Sequence, residues 1–384
     1  MDSSEVKMSN VNTSNTVPTE NTSRIRVLIV GPSLDILGGQ AVQAKRLLDG
    51  LATSGVVEAS FLAVNPRLSG FWGRCQRVKY VRTMVNSIAY FATLLRRVPQ
   101  SDVVHAFSAS YFSYLLSPMP ALVVGRIFKK PTILNYRSGE ADDHLTRWKL
   151  TAVPTMRRLA TAIVAPSGYL VDVFGKHGLT ATSISNFVPI EKLPYRARTS
   201  FAPRFFSNRN LESLYNVGCT IRAFAVVHEQ HPTATLVIAG DGAQRRELEA
   251  LADELSVADA VSFIGRVDPG AMGERYAACD IYFNSPNIDN MPSSIVESFA
   301  CGLPVVSTDA GGIPYIVEHE TTGLLSPCGD HRALAHSALR ILADHSLGER
   351  LSRNARQECE TKYVWPAVQT KWESLYSDLS ARDS

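Results

Sequence analysis

From Ile25 onward the sequence alternates short apolar runs with amphipathic stretches, in two successive series, and few folds accommodate that rhythm. A buried strand of a parallel sheet reads as a brief run rich in Val, Ile and Leu. Its link to the next parallel strand needs a dozen or more residues, usually a helix. Residues 25–30 are the first such run. A loop through Gly38-Gly39-Gln40 leads to a helical pattern over 41–51, and 56–64 is the second strand. Runs at 102–106, 131–135 and 162–165 follow, and the series closes near 182–186. Residues 187–205 carry three prolines, several basic residues and little periodicity, and are expected to connect two domains. The rhythm then restarts at 234–239, 260–264, 280–284, 305–308 and 323–325, with long helical patterns at the C-terminus. This predicts two α/β domains with parallel sheets, residues 24–190 and 191–364. At 384 residues the chain has length for both. Ligands of such sheets lie at the carboxyl ends of the strands, so a cleft between two facing domains is the expected site. Residues 1–23, rich in Ser, Thr and Asn and without a signal-peptide apolar core, are expected to be a disordered tail.

The richest local chemistry lies at Asp289-Asn290-Met291-Pro292-Ser293-Ser294-Ile295-Val296-Glu297. Pro292 suits the first position of a helix, where its missing N–H costs nothing. The free N–H groups of Ser293 and Ser294 then face the preceding loop and favour an anion. Glu297, four residues after Ser293, shares that rim. Cys301-Gly302-Leu303-Pro304 ends the helix, and Val305–Thr308 is the next buried strand. A phosphate site beside a carboxylate suits a nucleotide, with amides for the diphosphate and Glu297 for the ribose diol.

At these residues the chain resembles the retaining GT-B glycosyltransferases of family 4 (glycosyl transferases group 1). Their signature is two acids with seven residues between them, Gly-x-Pro after the first, then Ala-x-Gly-x-Pro-Val-Val. Glu297, Pro292, Ala300, Gly302, Pro304, Val305 and Val306 match, whereas Asp289 replaces the usual Glu and Asn290 the usual Gly. The resemblance covers roughly residues 24–379. It implies two Rossmann-like domains facing a central cleft, with the last helix, in 365–384, crossing back to the first domain. It also implies that Asp289 with Asn290 and Met291 lies by the transferred sugar, and that Gly38, Gly39 and Gln40 line the acceptor side and approach the diphosphate. Arg209 matches the arginine of a diphosphate-binding Arg/Lys pair. The lysine has no counterpart in Leu214-Tyr215-Asn216-Val217. Asn216 offers an uncharged replacement, and Arg266, beyond the Gly240 loop, a charged one. Arg137 stands where the family commonly has His. A guanidinium transfers no proton at neutral pH, but it could bond a sugar hydroxyl or pair with Glu140. Gly311-Gly312 reads equally well as a simple turn or a ligand loop. The implied reaction moves a sugar from a nucleotide-sugar donor to a glycan or lipid-linked acceptor, with retention, in surface polysaccharide assembly. A nucleotide-sugar epimerase and a non-catalytic binding subunit are the alternatives.

Other classes are disfavoured. Neither the Gly31 nor the Gly240 segment reads Gly-x-Gly-x-x-Gly, so a dinucleotide cofactor is not expected. No Asp-x-Asp pair follows a strand, and no His/Glu cluster suggests zinc. No metal or cofactor is therefore expected; the nucleotide-sugar is a co-substrate. A formal charge of +3 does not indicate nucleic acid. Six scattered cysteines without metal spacing, and no apolar run of spanning length, suit a cytoplasmic enzyme. Residues 74–97 place Arg74, Arg77, Lys79, Arg82, Arg96 and Arg97 around an apolar stripe through Val78, Val81, Val85, Ile88, Ala89, Ala92 and Leu95. That pattern suits either a peripheral contact with an anionic membrane at its inner face or a core-packed helix with a solvated face.

Overall fold

A computed structural model describes residues 24–35, 38–66 and 79–382, without the side chains of 79 and 80. The tail expected at 1–23 lies outside these residues, as do Arg74, Arg77 and Val78. Six parallel strands form the first sheet: β1 (Ile25–Gly31), β2 (Val57–Ala63), β3 (Val103–Ser108), β4 (Thr132–Tyr136), β5 (Ala162–Ala165) and β6 (Thr182–Ser183), in the order β2-β1-β3-β4-β5-β6. A second parallel sheet holds β7 (Arg204–Asn208), β8 (Thr235–Ala239), β9 (Val261–Gly265), β10 (Ile281–Asn284), β11 (Val305–Thr308) and β12 (Gly323–Ser326), in the order β12-β11-β10-β7-β8-β9. In each sheet the winding direction reverses beside the first strand, between β1 and β3 and between β7 and β10. Such reversals open a crevice at the carboxyl end of the sheet.

Strand β7, at the centre of the second sheet, is the element the sequence pattern missed. Its apolar content is only Phe205-Phe206, but the strand's two faces separate them. Phe205 stacks on Phe283 at 4.7 Å between ring centres, and Phe206 meets Tyr276 edge-on at 5.0 Å. The basic residues of the preceding connection also have work. Buried Asp280 accepts hydrogen bonds from Arg204 (2.6 Å) and Arg196. Arg198, also buried, donates to the carbonyls of Tyr276, Cys279, Cys301 and Gly302. The connection is thereby fastened to the second lobe, because a buried guanidinium must have its N–H groups satisfied.

The helices that matter to the site are α1 (Gly39–Leu51), α2 (Lys79–Arg97), α3 (Pro118–Ile127), α4 (Val217–Gln230), α5 (Met272–Ala278), α6 (Ser293–Cys301) and α7 (Trp365–Ala381). Pro292 proves to be the cap residue, one place earlier than the sequence suggests. Helix α7 returns to the first lobe, where Trp372 and Tyr376 are buried with Ile29, Val103 and Phe107. Trp365 lies over Gly50, where an added Cβ would come within 2.6 Å of the indole.

Candidate functional site

Residues leaving the second sheet at its crevice converge. Arg209 follows β7 directly, and the chain from β10 runs through 285–292 into α6. Arg209 pairs with the Asp289 carboxylate through Nη2 and donates from Nη1 to Ser294 Oγ at 3.3 Å. Its guanidinium lies 4.2 Å from the centre of the Tyr215 ring, a cation–π contact. Burial is the largest single influence on the Arg209 pKa and would lower it; the Asp289 charge and hydrogen bond, together with the Tyr215 and Tyr282 hydroxyls, outweigh it and the pKa rises. Glycines hold this cluster in place. Gly240 has φ +137°, and a Cβ there would sit 2.1 Å from the Arg209 carbonyl oxygen. Gly311 and Gly312 seat the acidic turn: Cβ atoms would come within 2.2 Å of Asp289 O and 1.9 Å of Asn290 O. Gly312 N donates to Asp289 O at 2.9 Å.

The first lobe closes over this block. Glu297, on α6, accepts from Arg46 Nη2 at 2.7 Å through Oε1 and from Tyr276 OH at 2.9 Å through Oε2. Gln43 Nε2 donates to Ser293 Oγ at 2.9 Å. The buried Asn290 amide accepts from Ser167 Oγ (2.9 Å) and donates to the Arg137 carbonyl (3.1 Å). Asn186 Nδ2 donates to Met291 O at 2.9 Å. The side chains of Asn290 and Met291 are thus turned to the other lobe. Asp289 and Glu297 each have a guanidinium beside them.

Arg137 differs. It follows β4, donates to Asn135 Oδ1 at 3.2 Å and stacks 5.2 Å from the Phe107 ring centre, and it has no ion pair among the described residues. The salt bridge to Glu140 open to it on sequence grounds does not form. Burial lowers its pKa, though a guanidinium stays cationic at neutral pH. Behind it runs a buried relay. Asn135 Nδ2 donates to His105 Nε2 (2.9 Å), which leaves His105 Nδ1–H to donate to Tyr376 OH (2.8 Å) on α7. Burial, with the nearby Arg137 charge, pushes the His105 pKa down to about 3, so the ring is neutral. His105 is a structural link rather than a titrating group.

Gly38 caps α1 with no side-chain cap, and a Cβ on Gly38 or Gly39 would meet nothing within 4 Å. Packing within the protein does not require glycine there, which leaves the loop open to a ligand. Gln40 Nε2 donates to Ser108 O at 3.3 Å. Asn216 has φ +42°, starts α4 and spends its amide on Asn287 (3.0 Å). Tyr215, under Arg209, fills the neighbouring space. Arg266 is exposed and forms no hydrogen bond or ion pair among the described residues. It follows Gly265, whose carbonyl accepts from Gly240 N at 2.7 Å. Of two grooves of about 660 and 460 Å³, the smaller reaches Ser167 and Met291, and neither is lined by Asp289, Arg209 or Glu297; convergent polar chemistry assigns the site, not room. Gln43, Arg46 and Tyr276 escaped the sequence analysis. Gln40, Gln43 and Arg46 recur every third residue on one face of α1, and that polar stripe was a usable signal.

Comparison with known proteins bears on the second lobe and on the fold. Residues 201–358, which include Arg209, Asp289 and Glu297, match the family model "Glycosyl transferases group 1". N-acetyl-alpha-D-glucosaminyl L-malate synthase of Bacillus anthracis is 28% identical over 174 residues, 45% of each chain. Sulfoquinovosyl transferase SQD2 of Arabidopsis thaliana is 30% identical over 296 residues, 70% of this chain and 55% of that protein. The chain therefore spans about half the length of these curated relatives. Two solved structures share the whole architecture. Anabaena HepE in complex with UDP superposes with a TM-score of 0.71 at 18% identity, over 92% of this chain and all of HepE. Sucrose-phosphate synthase of Thermosynechococcus elongatus gives 0.74 at 18%, over 94% of this chain and all of that one. The fold is GT-B.

Proposed function

We propose that this protein is a retaining glycosyltransferase that moves a sugar from a nucleotide-sugar donor to a glycan or lipid-linked acceptor, in the assembly of a surface polysaccharide. The observation that carries the reading is the meeting of Arg209, Asp289, Ser294 and Glu297 at the mouth of the β7–β10 crevice, under the other lobe. The donor diphosphate faces Arg209 and the uncapped start of α6, where backbone N–H groups and the helix dipole favour an anion. Arg266, exposed beside the Gly240 loop, is the second cation available to it. Glu297 takes the ribose: each carboxylate oxygen accepts one bond from the protein and keeps a lone pair for a hydroxyl. Arg46 and Tyr276 fix its orientation.

Asp289 pairs with Arg209. A diphosphate competes for that guanidinium, and the freed carboxylate turns to the sugar. Bond breaking places negative charge on the leaving diphosphate, where a preorganised arginine counts most. The diphosphate itself helps remove the acceptor proton while the anomeric carbon gains oxocarbenium character. Arg137, cationic and fixed from behind, is placed to bond a hydroxyl or an anionic group of the acceptor. Gly38 and Gly39 let that substrate approach the backbone. This reading takes the diphosphate charge to be met by protein groups, with no cofactor and no metal. The test is a donor panel with product analysis by NMR. Retention of the anomeric configuration and turnover insensitive to EDTA are expected. An inverted product, donor epimerised without acceptor, or loss of turnover on chelation would overturn it.

A further inference from the structure

Helix α2 turns an apolar stripe outward. Val81, Met84, Ile88, Phe91 and Leu95, between 40% and 67% exposed, follow one another at spacings of three and four and so share one face. The opposite face is already used: Val85, Tyr90 and Leu94 are buried, the last two with Leu28, Val104 and Val124 of the first lobe's core. The outward stripe is therefore not core. A contiguous exposed apolar strip marks an interaction surface. On sequence alone Val85 falls in the same stripe as Ile88; the structure turns it inward.

The stretch of sequence that holds the stripe is one-sided in charge. Between Glu58 and Glu140 the chain carries eleven lysines and arginines against one acid, Asp102: 11 − 1 = +10, in a protein whose total is +3. Asp102 is taken up by Arg26 at 2.7 and 3.1 Å. Arg82 and Arg96 flank the stripe. At the end of α3, Ile127 (63% exposed) and Phe128 adjoin Lys129 and Lys130. Strands β3 and β4, which follow α2 and α3, are parallel neighbours, so both helix ends reach the same edge of the sheet.

We propose that this face docks the first lobe on an anionic lipid bilayer. The α2 stripe sits at the boundary of headgroups and acyl chains, and the flanking basic residues rest on lipid phosphates. A second copy of the chain would bring the same positive charge against itself. A nucleic acid would satisfy the charge and leave the apolar stripe in water. A bilayer receives both. The proposal stands independently of the sugar-transfer reading.

The test is flotation of the full chain with phosphatidylglycerol-rich and with pure phosphatidylcholine vesicles, at low and high salt. Flotation with the anionic vesicles alone, weakened by salt, is expected. The triple variant Met84→Ser/Ile88→Ser/Phe91→Ser should lose binding by about tenfold or more, with melting temperature and nucleotide affinity unchanged. The variant Arg96→Glu/Lys129→Glu/Lys130→Glu should bind less and show a smaller salt response. Wild-type protein that floats with neither lipid or equally with both, a triple variant that floats like wild type, or light scattering that shows a dimer abolished by the triple variant would each overturn the proposal.

Discussion

Each lobe brings a partly buried arginine to the junction, and the two are held differently. Arg209, in the second lobe, is balanced by Asp289 and stacked on Tyr215. Arg137, in the first, is held by the neutral amide of Asn135, behind which lie His105 and Tyr376. A guanidinium paired with its own carboxylate is stored until a stronger anion arrives. One supported only by neutral dipoles is left with charge to satisfy. On the proposed reading, the difference suits the second lobe to the diphosphate and the first to the acceptor.

The comparison breaks most readily at Arg209. Arg209→Gln should lower kcat by about 10²–10³-fold and weaken nucleoside diphosphate binding. Arg137→Gln should leave that binding at the wild-type value and impair only transfer to acceptor. Equal losses of nucleotide affinity in the two variants, measured by calorimetry, would dissolve the distinction. Next comes the relay behind Arg137. The His105 pKa is pushed down to about 3 by burial, while an unfolded histidine binds a proton near pH 6.5. The unfolded state therefore takes up the proton first as pH falls. The folded protein should lose about 2 kcal/mol through this residue between pH 7 and pH 5. Denaturant titrations of wild type and His105→Gln at both pH values check this: the variant should show the smaller loss. Asp289→Asn should lower turnover by about tenfold, with nucleotide affinity kept or raised because Arg209 is released. Unchanged turnover would remove Asp289 from the sugar site. The smallest effect belongs to Arg46→Met, which removes the guanidinium beside Glu297 but spares the carboxylate. Nucleotide affinity should fall by less than about tenfold, and a larger fall would make the Arg46–Glu297 bridge itself the function of Glu297.

The two lobes also differed in how legible they were. The second lobe's site lies in one contiguous stretch, because a strand end, a tight turn and a helix start must follow one another to present amides and a carboxylate together. Asp289 through Glu297 could be read from residue order, and Gly302 and Pro304 marked the exit. Contributions from the first lobe are spread over α1 and the ends of β4, β5 and β6. The partner of Glu297 is Arg46, 251 residues away, and no local pattern carries such a pairing. Strands 162–165 and 305–308 were visible as apolar runs between breakers. Strand β7 was not, since Arg204 and Ser207 enclose its two phenylalanines and what makes it a strand is its neighbours β8 and β10. The missing lysine was visible as an absence. That Tyr215 would pack under Arg209 was not, because it depends on Asn216 turning the chain through a left-handed conformation.

Calorimetric titration of wild type and Glu297→Gln, each with nucleoside diphosphate and with inorganic pyrophosphate, tests the central claim most directly. If Glu297 grips the ribose and Arg209 the diphosphate, the variant binds nucleoside diphosphate about a hundredfold more weakly and pyrophosphate as wild type does. Nucleoside diphosphate affinity equal to wild type in Glu297→Gln would contradict the account.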